Sequence, residues 1–372
     1  MNICILTQPL TINYGGLLQA YAMQKVLKSM GHEVTTLRFK PLYAQSSNPL
    51  ELYWKTFRRY LSKLKGNKGI IRSNPERQWE YYKSINETME HFIHEHIHTL
   101  DANAPLKYKD LPVFDAFIVG SDQVWRPVYS PCLPNFYFDF VKDNHPVRIA
   151  YAASFGVDHW EVSEKQTKVL RELIHRFDRI SVREVSGLSL CKKYLDVESS
   201  LMPDPTMLLT RDDYLELCPN RPSDIPDQPY IATYIIDPNS QIRALISSYA
   251  EKSHLPVVPV GQFNWKTGSD SMDHWIQGIA NASCLITDSF HGTLFALLFQ
   301  KDFLTFDNSW RGPSRFHTLL DAFGLSDRLV QANQISDIEI RPLDKESVAR
   351  ILSIQREKGL AFLAEATAGH LH

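Results

Sequence analysis

Cysteine pairs, a leader peptide and long apolar runs are all missing from this sequence. Five cysteines are scattered through 372 residues without a C-x-x-C pair, which argues against a disulfide framework and a structural zinc site. No stretch approaches the roughly 20 apolar residues of a membrane-spanning helix. The N-terminal MNICILTQPL has no basic leader and no small-residue cleavage site, so we expect a cytoplasmic protein.

A strong net charge is lacking as well. The chain has 40 Lys and Arg against 42 Asp and Glu, a net charge of −2. It therefore has no global attraction to nucleic acid or anionic membranes, and we expect no nucleic-acid partner. P-loop, G-x-S-x-G and H-E-x-x-H motifs are absent too, and no G-x-G-x-x-G marks a dinucleotide site.

What the sequence does contain is a repeated alternation of strand-like and helix-like segments, typical of parallel sheets. It predicts an α/β fold of two doubly wound domains facing a cleft. We expect an N-terminal domain at 1–205, a proline- and aspartate-rich linker at 206–229 and a C-terminal domain at 230–340. The rest, 341–372, is predicted as a helix that could pack back across the cleft.

A helical insertion at about 43–100 interrupts the α/β rhythm. Within it, residues 50–72 carry seven Lys and Arg and interleaved aromatic and aliphatic side chains. Such a helix could lie on an anionic membrane surface. Alternatively, it packs on its own domain and exposes a solvated basic face.

The stretch TDSFHGTLFAL contains the main candidate for chemistry. Asp288 or Ser289 can cap a helix that follows a buried strand, and a helix start is a natural anion site. His291 then falls in the first turn, and Gly292 allows close approach. The pattern favours a histidine proton donor beside a bound phosphate or carboxylate. The alternative is a partly buried histidine satisfied by a neighbouring strand.

Three arginines are candidates for binding an anionic ligand. Arg311 and Arg315 are four residues apart, between a strand and a helix, where they could clamp an oxyanion. The alternative is surface loop charge. Arg183 ends another strand, so we expect it to point into the cleft.

Residues at strand ends of the first domain are candidates for binding a polar ligand. Ser121 and Asp122 follow a strand, and Gln123 and Trp125 are available for a sugar ring. Gly15 and Gly16 precede a helix.

His94 and His98 could share a helix face as metal ligands, but no second ligand cluster is evident, so we predict no metal site.

Six stretches occur in this order along the chain: NYGGLLQAYAMQ, VGSDQVWRP, YAASFG, ISVREVSG, MPDPTMLL and ITDSFHGTLFALLF. Together they resemble the polysaccharide pyruvyltransferase family. The resemblance implies a GT-B-like pair of Rossmann-like domains. It also implies transfer of a pyruvyl group from phosphoenolpyruvate to two sugar hydroxyls, giving a cyclic ketal and phosphate, with no further cofactor. The implied acceptor is a sugar or lipid-linked oligosaccharide of a surface polysaccharide, with possible peripheral contact at the inner membrane face.

By this likeness His291 is the catalytic acid and Arg183 binds the donor. With the arguments above, the donor site comprises Arg183, Ser289, Gly292, Arg311 and Arg315. The acceptor site comprises Asn13, Tyr14, Gly15, Gly16, Ser121, Asp122, Gln123 and Trp125. Many family members have an arginine two residues before the histidine, where this chain has Ser289, so Arg311 or Arg315 would replace that charge.

Two other classes of function stay open on the sequence. A nucleotide-sugar glycosyltransferase would share the two-domain cleft but would need a carboxylate base and a nucleobase site. A non-catalytic glycan-binding protein would not need a cationic donor pocket.

Overall fold

The computed structural model describes residues 1–39, 83–130, 132–142, 145–264, 268–307 and 312–368. It contains two parallel sheets flanked by helices, one in each half of the chain. Both the basic segment 50–72 and Arg311 lie outside the described residues. The insertion predicted at about 43–100 is described only in its last part.

The first sheet has seven parallel strands in the order β3-β2-β1-β4-β5-β6-β7. These are β1 (Asn2–Leu6), β2 (Glu33–Phe39), β3 (Thr99–Ala102), β4 (Ala116–Gly120), β5 (Val147–Ala153), β6 (Arg179–Val182) and β7 (Ser200–Leu201). Its helices are α1 (Tyr14–Ser29), α2 (Glu87–His96), α3 (Glu164–Ile174) and α4 (Val185–Leu190). The order reverses between β1 and β4, and open α/β sheets bind ligands at such a switch point.

The second sheet has five parallel strands in the order β14-β13-β12-β8-β9. The strands are β8 (Ile231–Tyr234), β9 (Val257–Pro259), β12 (Cys284–Thr287), β13 (Asp302–Phe306) and β14 (Leu329–Val330), beside an antiparallel pair, β10 (Phe263–Asn264) and β11 (Gly268–Ser269). The helices are α5 (Arg211–Leu217), α6 (Ser240–Ser253), α7 (Met272–Ala280), α8 (Phe290–Leu298), α9 (Ser314–Ala322) and α10 (Lys345–Thr367). This order reverses between β8 and β12.

The segment predicted as a linker is partly folded. A 3-10 turn covers Pro205–Leu208, and α5 begins with a capping box in which Thr210 and Asp213 bond each other's backbone amides. Tyr214 of α5 is fully buried and donates its hydroxyl hydrogen bond to the carbonyl of Thr206. The connection therefore packs into the core instead of running free between the domains.

The final helix, α10, returns to the first domain. Its Gly359 lies so close to Leu208 and to the hydroxyl of Tyr151 that a β-carbon would come within 2.4 Å and 2.5 Å of them. Arg356 donates to the carbonyl of Leu209 at 3.1 Å. Among the helices of the described ranges, none combines the length and the apolar character needed to cross a bilayer.

Candidate active site

Two consecutive side chains, Asp288 and Ser289, organise the start of α8. The hydroxyl of Ser289 caps the helix by accepting a hydrogen bond from the Gly292 amide at 3.3 Å. Asp288 has a different role: its carboxylate accepts hydrogen bonds from the amides of Ile236 and Asp237, at 2.7 and 2.9 Å. Since those residues follow β8, Asp288 ties together the two strand ends at the switch point of the second sheet.

His291 lies in the first turn of α8, where the two domains meet. Its side chain is buried but lines the cleft. The imidazole packs on the start of α1, because a β-carbon on Gly15 would come within 2.0 Å of Cγ and Nδ1. On its other side, Nε2 lies 3.6 Å from Oδ2 of Asp204. The histidine is therefore held between residues of the first domain.

Asp204, which faces Nε2 of this histidine, accepts hydrogen bonds from several neighbouring groups. Its Oδ2 accepts hydrogen bonds from Nη1 of Arg183 at 2.6 Å and from the hydroxyl of Ser121 at 2.8 Å. Its Oδ1 accepts from the amide and the hydroxyl of Thr206, at 3.0 and 2.7 Å. Burial by itself raises the pKa of Asp204, but the facing His291, the charge of Arg183 and the Thr206 amide together hold that pKa well below its usual range. Asp204 is therefore an anion at neutral pH.

Two arginines contact the ring of Phe290. The guanidinium carbon of Arg183 lies 4.6 Å from the ring centroid, and that of Arg315 lies 5.5 Å away. Burial tends to lower the pKa of Arg183, yet the charges of Asp204 and Asp122 raise it. For Arg315, burial and the neighbouring charge of Arg183 lower the pKa to about 10. Arg183 thus belongs to an ion pair with Asp204, and burial is the main cause that disfavours the charge of Arg315.

The cleft contains a cavity of about 480 Å³. Its first-domain wall includes Asn13, Tyr14, Asp122 and Gln123. Its second-domain wall combines the start of α8 with Arg315 and an apolar strip, formed by Tyr234, Ile235, Ile236, Pro238, Phe263 and Phe316. A cavity of this size, in which polar groups from both domains face an apolar strip, has the dimensions of a small-molecule site.

Some of the predicted donor residues line this cavity, and others lie outside it. His291, Ser289 and Arg315 line it. Arg183 lies behind Phe290, on a separate small cavity of about 70 Å³ that it shares with Arg315. Gly292 does not line the cleft: a β-carbon there would come within 2.4 Å of the Thr287 hydroxyl, so the glycine allows α8 to pack on β12.

Some of the predicted acceptor residues line the first-domain wall of the cavity, and others lie in the core. Asn13 caps α1 by accepting from the Gly16 amide at 3.1 Å, and its own amide donates to Asp122 at 3.4 Å. Asp122 itself adopts a left-handed φ of 57°, the kind of strained backbone that clusters at functional sites. Tyr14 stacks on Trp275 with ring centroids 5.5 Å apart.

Ser121 and Trp125 point away from the cleft. Ser121 is buried and bonded to Asp204. Trp125 is 1% exposed, donates to the carbonyl of Phe136 at 3.1 Å and stacks on Tyr137. The expectation that Trp125 is available for a sugar ring is not supported by this placement, because its ring is enclosed in the first-domain core.

The histidines considered as metal ligands do not form a site with one another. Helix α2 ends at His96, so His98 lies beyond it and does not share a helical face with His94. His91 pairs with Glu95 at 3.2 Å. Among the described residues, no group of three or more His, Cys, Asp or Glu side chains is arranged to hold a metal ion.

Two functional candidates were missed by sequence reasoning. Asp204 lies in the stretch MPDPTMLL, which was noted only as part of a resemblance. Glu184, fully buried, accepts hydrogen bonds from the Ser154 hydroxyl and the amides of Phe155 and Gly156, and thereby holds the loop after β5. Apart from Thr206, which is two residues from Asp204, their partners lie 21 to 87 residues away, so no local pattern reveals either role.

Comparison with solved structures confirms the predicted fold class. A UDP-GlcNAc 2-epimerase from Methanocaldococcus jannaschii is similar at a TM-score of 0.51, with 11% identity, covering 99% of this chain and 100% of that one. UGT89C1 of Arabidopsis thaliana, complexed with UDP-L-rhamnose, gives 0.45 at 11% identity, covering 98% and 93%. At 11% identity the likeness to the epimerase concerns the fold alone, and it agrees with two Rossmann-like domains in a GT-B-like arrangement.

The sequence comparisons are more specific. A search of curated proteins finds no match. A family model described as polysaccharide pyruvyl transferase matches residues 13–309. This match runs from the cap of α1 to just beyond β13, and so includes both halves of the cleft. Because it covers most of the chain, the protein belongs to the polysaccharide pyruvyl transferase family.

Proposed function

We propose that this protein transfers the pyruvyl group of phosphoenolpyruvate onto two hydroxyls of a sugar in a surface or capsular polysaccharide precursor, forming a cyclic ketal and releasing phosphate. Family membership supports the transferase class. The observation that carries the finer proposal is the position of His291. It lies in the first turn of α8, lines the cleft and faces the anionic Asp204 at 3.6 Å.

The donor is proposed to bind at the start of α8. Phosphoenolpyruvate carries a phosphate and a carboxylate, and a helix N-terminus attracts such anions through its amides and dipole. Arg315 lines the same cavity and carries a charge that burial disfavours, so a bound oxyanion would stabilise it. Arg315 would thereby replace the arginine that many relatives have at the position of Ser289. Arg183 would support the site from behind Phe290.

The reaction needs a proton donor and a route for two hydroxyl protons. A proton from the His291 imidazolium forms the C–H bond of the new methyl group, and the cationic carbon that results is attacked by the first sugar hydroxyl. The C–O bond to phosphate then breaks, and the second hydroxyl attacks the same carbon. Of the two hydroxyl protons released, one restores the imidazolium and the other leaves with phosphate. Histidine suits this exchange because its unperturbed pKa lies near neutrality.

The acceptor is proposed to lie against the first domain. Asn13, Asp122 and Gln123 line that wall and offer amide and carboxylate groups to sugar hydroxyls. Such acceptors include sugars and lipid-linked oligosaccharides, which would place the enzyme at the cytoplasmic face of a membrane. The proposal involves no metal, no additional cofactor and no nucleic acid.

The test is incubation of the protein with phosphoenolpyruvate and a panel of galactosides, mannosides and glucosamine derivatives. We expect acceptor-dependent phosphate release and a product that has gained one pyruvate ketal by mass spectrometry. In parallel, calorimetric titration with UDP and nucleotide sugars tests binding of the alternative donors. Nucleotide-sugar turnover without any phosphoenolpyruvate reaction would favour a glycosyltransferase instead. Glycan binding without turnover of either donor would favour a binding protein.

A further inference from the structure

The two nitrogens of the His291 imidazole have different surroundings. Nε2 is buried, has no hydrogen-bond partner within the described ranges, and faces Oδ2 of Asp204 at 3.6 Å. Nδ1 lies beside Gly15, and the His291 side chain lines the cleft. Because Nε2 is enclosed and faces Asp204, Nδ1 is the ring nitrogen left to serve a molecule in the cavity.

Asp204 is itself fixed from several directions. Arg183, Ser121 and Thr206 donate four hydrogen bonds to its two oxygens. Three of these donors are side-chain groups from different parts of the chain, so the carboxylate is unable to rotate without losing several bonds at once. A carboxylate locked in this way presents a fixed acceptor to the imidazole.

We infer that Asp204 is a positioning residue that holds Nε2–H of His291, so that Nδ1 delivers the proton to the substrate. This inference rests on the proposed pyruvyl transfer. An imidazole whose Nε2 faces a fixed carboxylate keeps its proton on Nε2, because the carboxylate attracts the N–H and repels the lone pair of an unprotonated nitrogen. The N–H bond at Nδ1 breaks as the methyl C–H bond forms, and Nε2–H stays in place. The neutral ring then takes up a hydroxyl proton at the emptied Nδ1.

Other charged groups near the pair do not compete for Nε2. Arg183 and Ser121 donate to the carboxylate, while Asp122 lies 3.9 Å from Nη2 of Arg183. Glu184 and Arg315 interact electrostatically with Arg183. In the described part of the chain, Asp204 is the acidic residue that has a carboxylate oxygen within 4.0 Å of a ring nitrogen of His291.

The first test reads the histidine tautomer in the resting wild-type protein. Nitrogen-15 NMR of histidine-labelled protein separates protonated from unprotonated ring nitrogens, and His291 is identified as the signal missing in His291→Gln. We expect the neutral ring to carry its proton on Nε2. A proton on Nδ1, or a mixture of tautomers, would overturn the inference. This measurement requires neither turnover nor an Asp204 variant that folds.

The second test is kinetic and uses a matched pair of variants. Asp204→Asn removes the charge that faces His291. Thr36→Val is the matched control, because it removes a buried hydroxyl that accepts a hydrogen bond from Gln24, on β2 and outside the cavity lining. We expect Asp204→Asn to lower kcat by about 10²-fold or more, with the KM for phosphoenolpyruvate changed much less. Thr36→Val should lower Tm but leave kcat within a few-fold of wild type. Equal losses of kcat in both variants would mean that Asp204 acts only through stability.

Failure of this inference is distinguishable from failure of the proposed function. If wild-type protein turns over phosphoenolpyruvate but Asp204→Asn retains its kcat, the positioning role is wrong and the reaction stands. If wild-type protein shows no reaction with any acceptor while Nε2–H is observed, the geometry stands but the proton delivery is refuted together with the reaction.

Discussion

Gly15 and His291 are in direct contact across the interface of the two domains. A β-carbon on Gly15 would lie 2.0 Å from both Cγ and Nδ1 of the imidazole, less than any real non-bonded contact. Gly15 lies in the first turn of α1 and His291 in the first turn of α8, so two helix starts from two switch points converge there. The glycine leaves the space in which the histidine ring lies.

Gly15→Ala should therefore displace His291 and lower kcat by about 10²-fold or more, since a misplaced general acid loses most of its contribution. Gly120→Ala is the matched control, because a β-carbon there meets nothing closer than 3.6 Å. Steady-state kinetics and thermal unfolding of both variants check the prediction. Normal turnover by a folded Gly15→Ala would show that the ring position is not critical.

His291→Ala should lower the rate by about 10²–10⁴-fold, which is the usual contribution of a general acid, and should leave the fold intact. The residue lies at a helix start beside the cavity, so truncation opens space toward the cleft. Phosphate release with acceptor and circular dichroism are the measurements. His94→Ala, an exposed substitution on α2, serves as the control. Near-normal release by His291→Ala would assign the acid elsewhere.

The two arginines at Phe290 should respond differently to substitution. Arg315→Gln removes a cation that lines the cavity and whose pKa burial already lowers, so we expect mainly a rise in the KM for phosphoenolpyruvate. A charged hydrogen bond to a ligand contributes about 1.5–3 kcal/mol, which corresponds to roughly 10- to 100-fold. An equal rise in the acceptor KM would contradict a donor role.

Arg183→Gln should act first on stability. It leaves the carboxylate of Asp204 buried without its 2.6 Å partner, and breaking a buried ion pair costs about 3–5 kcal/mol. Urea unfolding of Arg183→Gln and Arg315→Gln side by side measures the difference. If Arg183→Gln is as stable as wild type but loses donor affinity, Arg183 is a direct ligand of the donor.

Asp204 should also contribute to the pH dependence of stability. Its folded-state pKa lies below the unfolded value of 3.8, so the stabilisation is fully present above that value and is lost as pH falls through and below it. The difference in unfolding free energy between wild type and Asp204→Asn should therefore be large at about pH 7 and shrink at about pH 3. Urea titrations at several pH values measure it. A constant difference would mean that the carboxylate has an ordinary pKa.

The basic segment 50–72 should matter for lipid-linked acceptors and little for phosphoenolpyruvate. Attraction to an anionic leaflet is worth about 1 kcal/mol per basic residue. Charge reversal of Arg58, Arg59 and Lys63 should weaken sedimentation with anionic liposomes and leave activity on a lipid-free acceptor unchanged. If liposome binding persists while soluble-acceptor activity is lost, the segment belongs to the sugar site instead.

Local sequence was sufficient to predict many of the elements and the class of fold, although it missed α5 inside the predicted linker. Apolar runs such as CLIT and DFLTF mark buried strands, and both strands are found, as Cys284–Thr287 and Asp302–Phe306. Capping is equally local, since Ser289 and the Gly292 amide lie only three residues apart. The position of His291 at a helix start could be read directly because strand, cap and helix are consecutive.

What surrounds His291 was decided only by the tertiary structure. Asp204 precedes it by 87 residues and Gly15 by 276, and neither has a neighbouring residue that signals the contact. The same holds for Trp125. It follows a strand end where a ligand-binding residue was expected, but its ring lies in the core and its Nε1 donates to the carbonyl of Phe136. Local patterns report backbone preference and which face is apolar. They do not report which distant side chains two folded sheets bring together, since that depends on how the switch points of the two domains face each other.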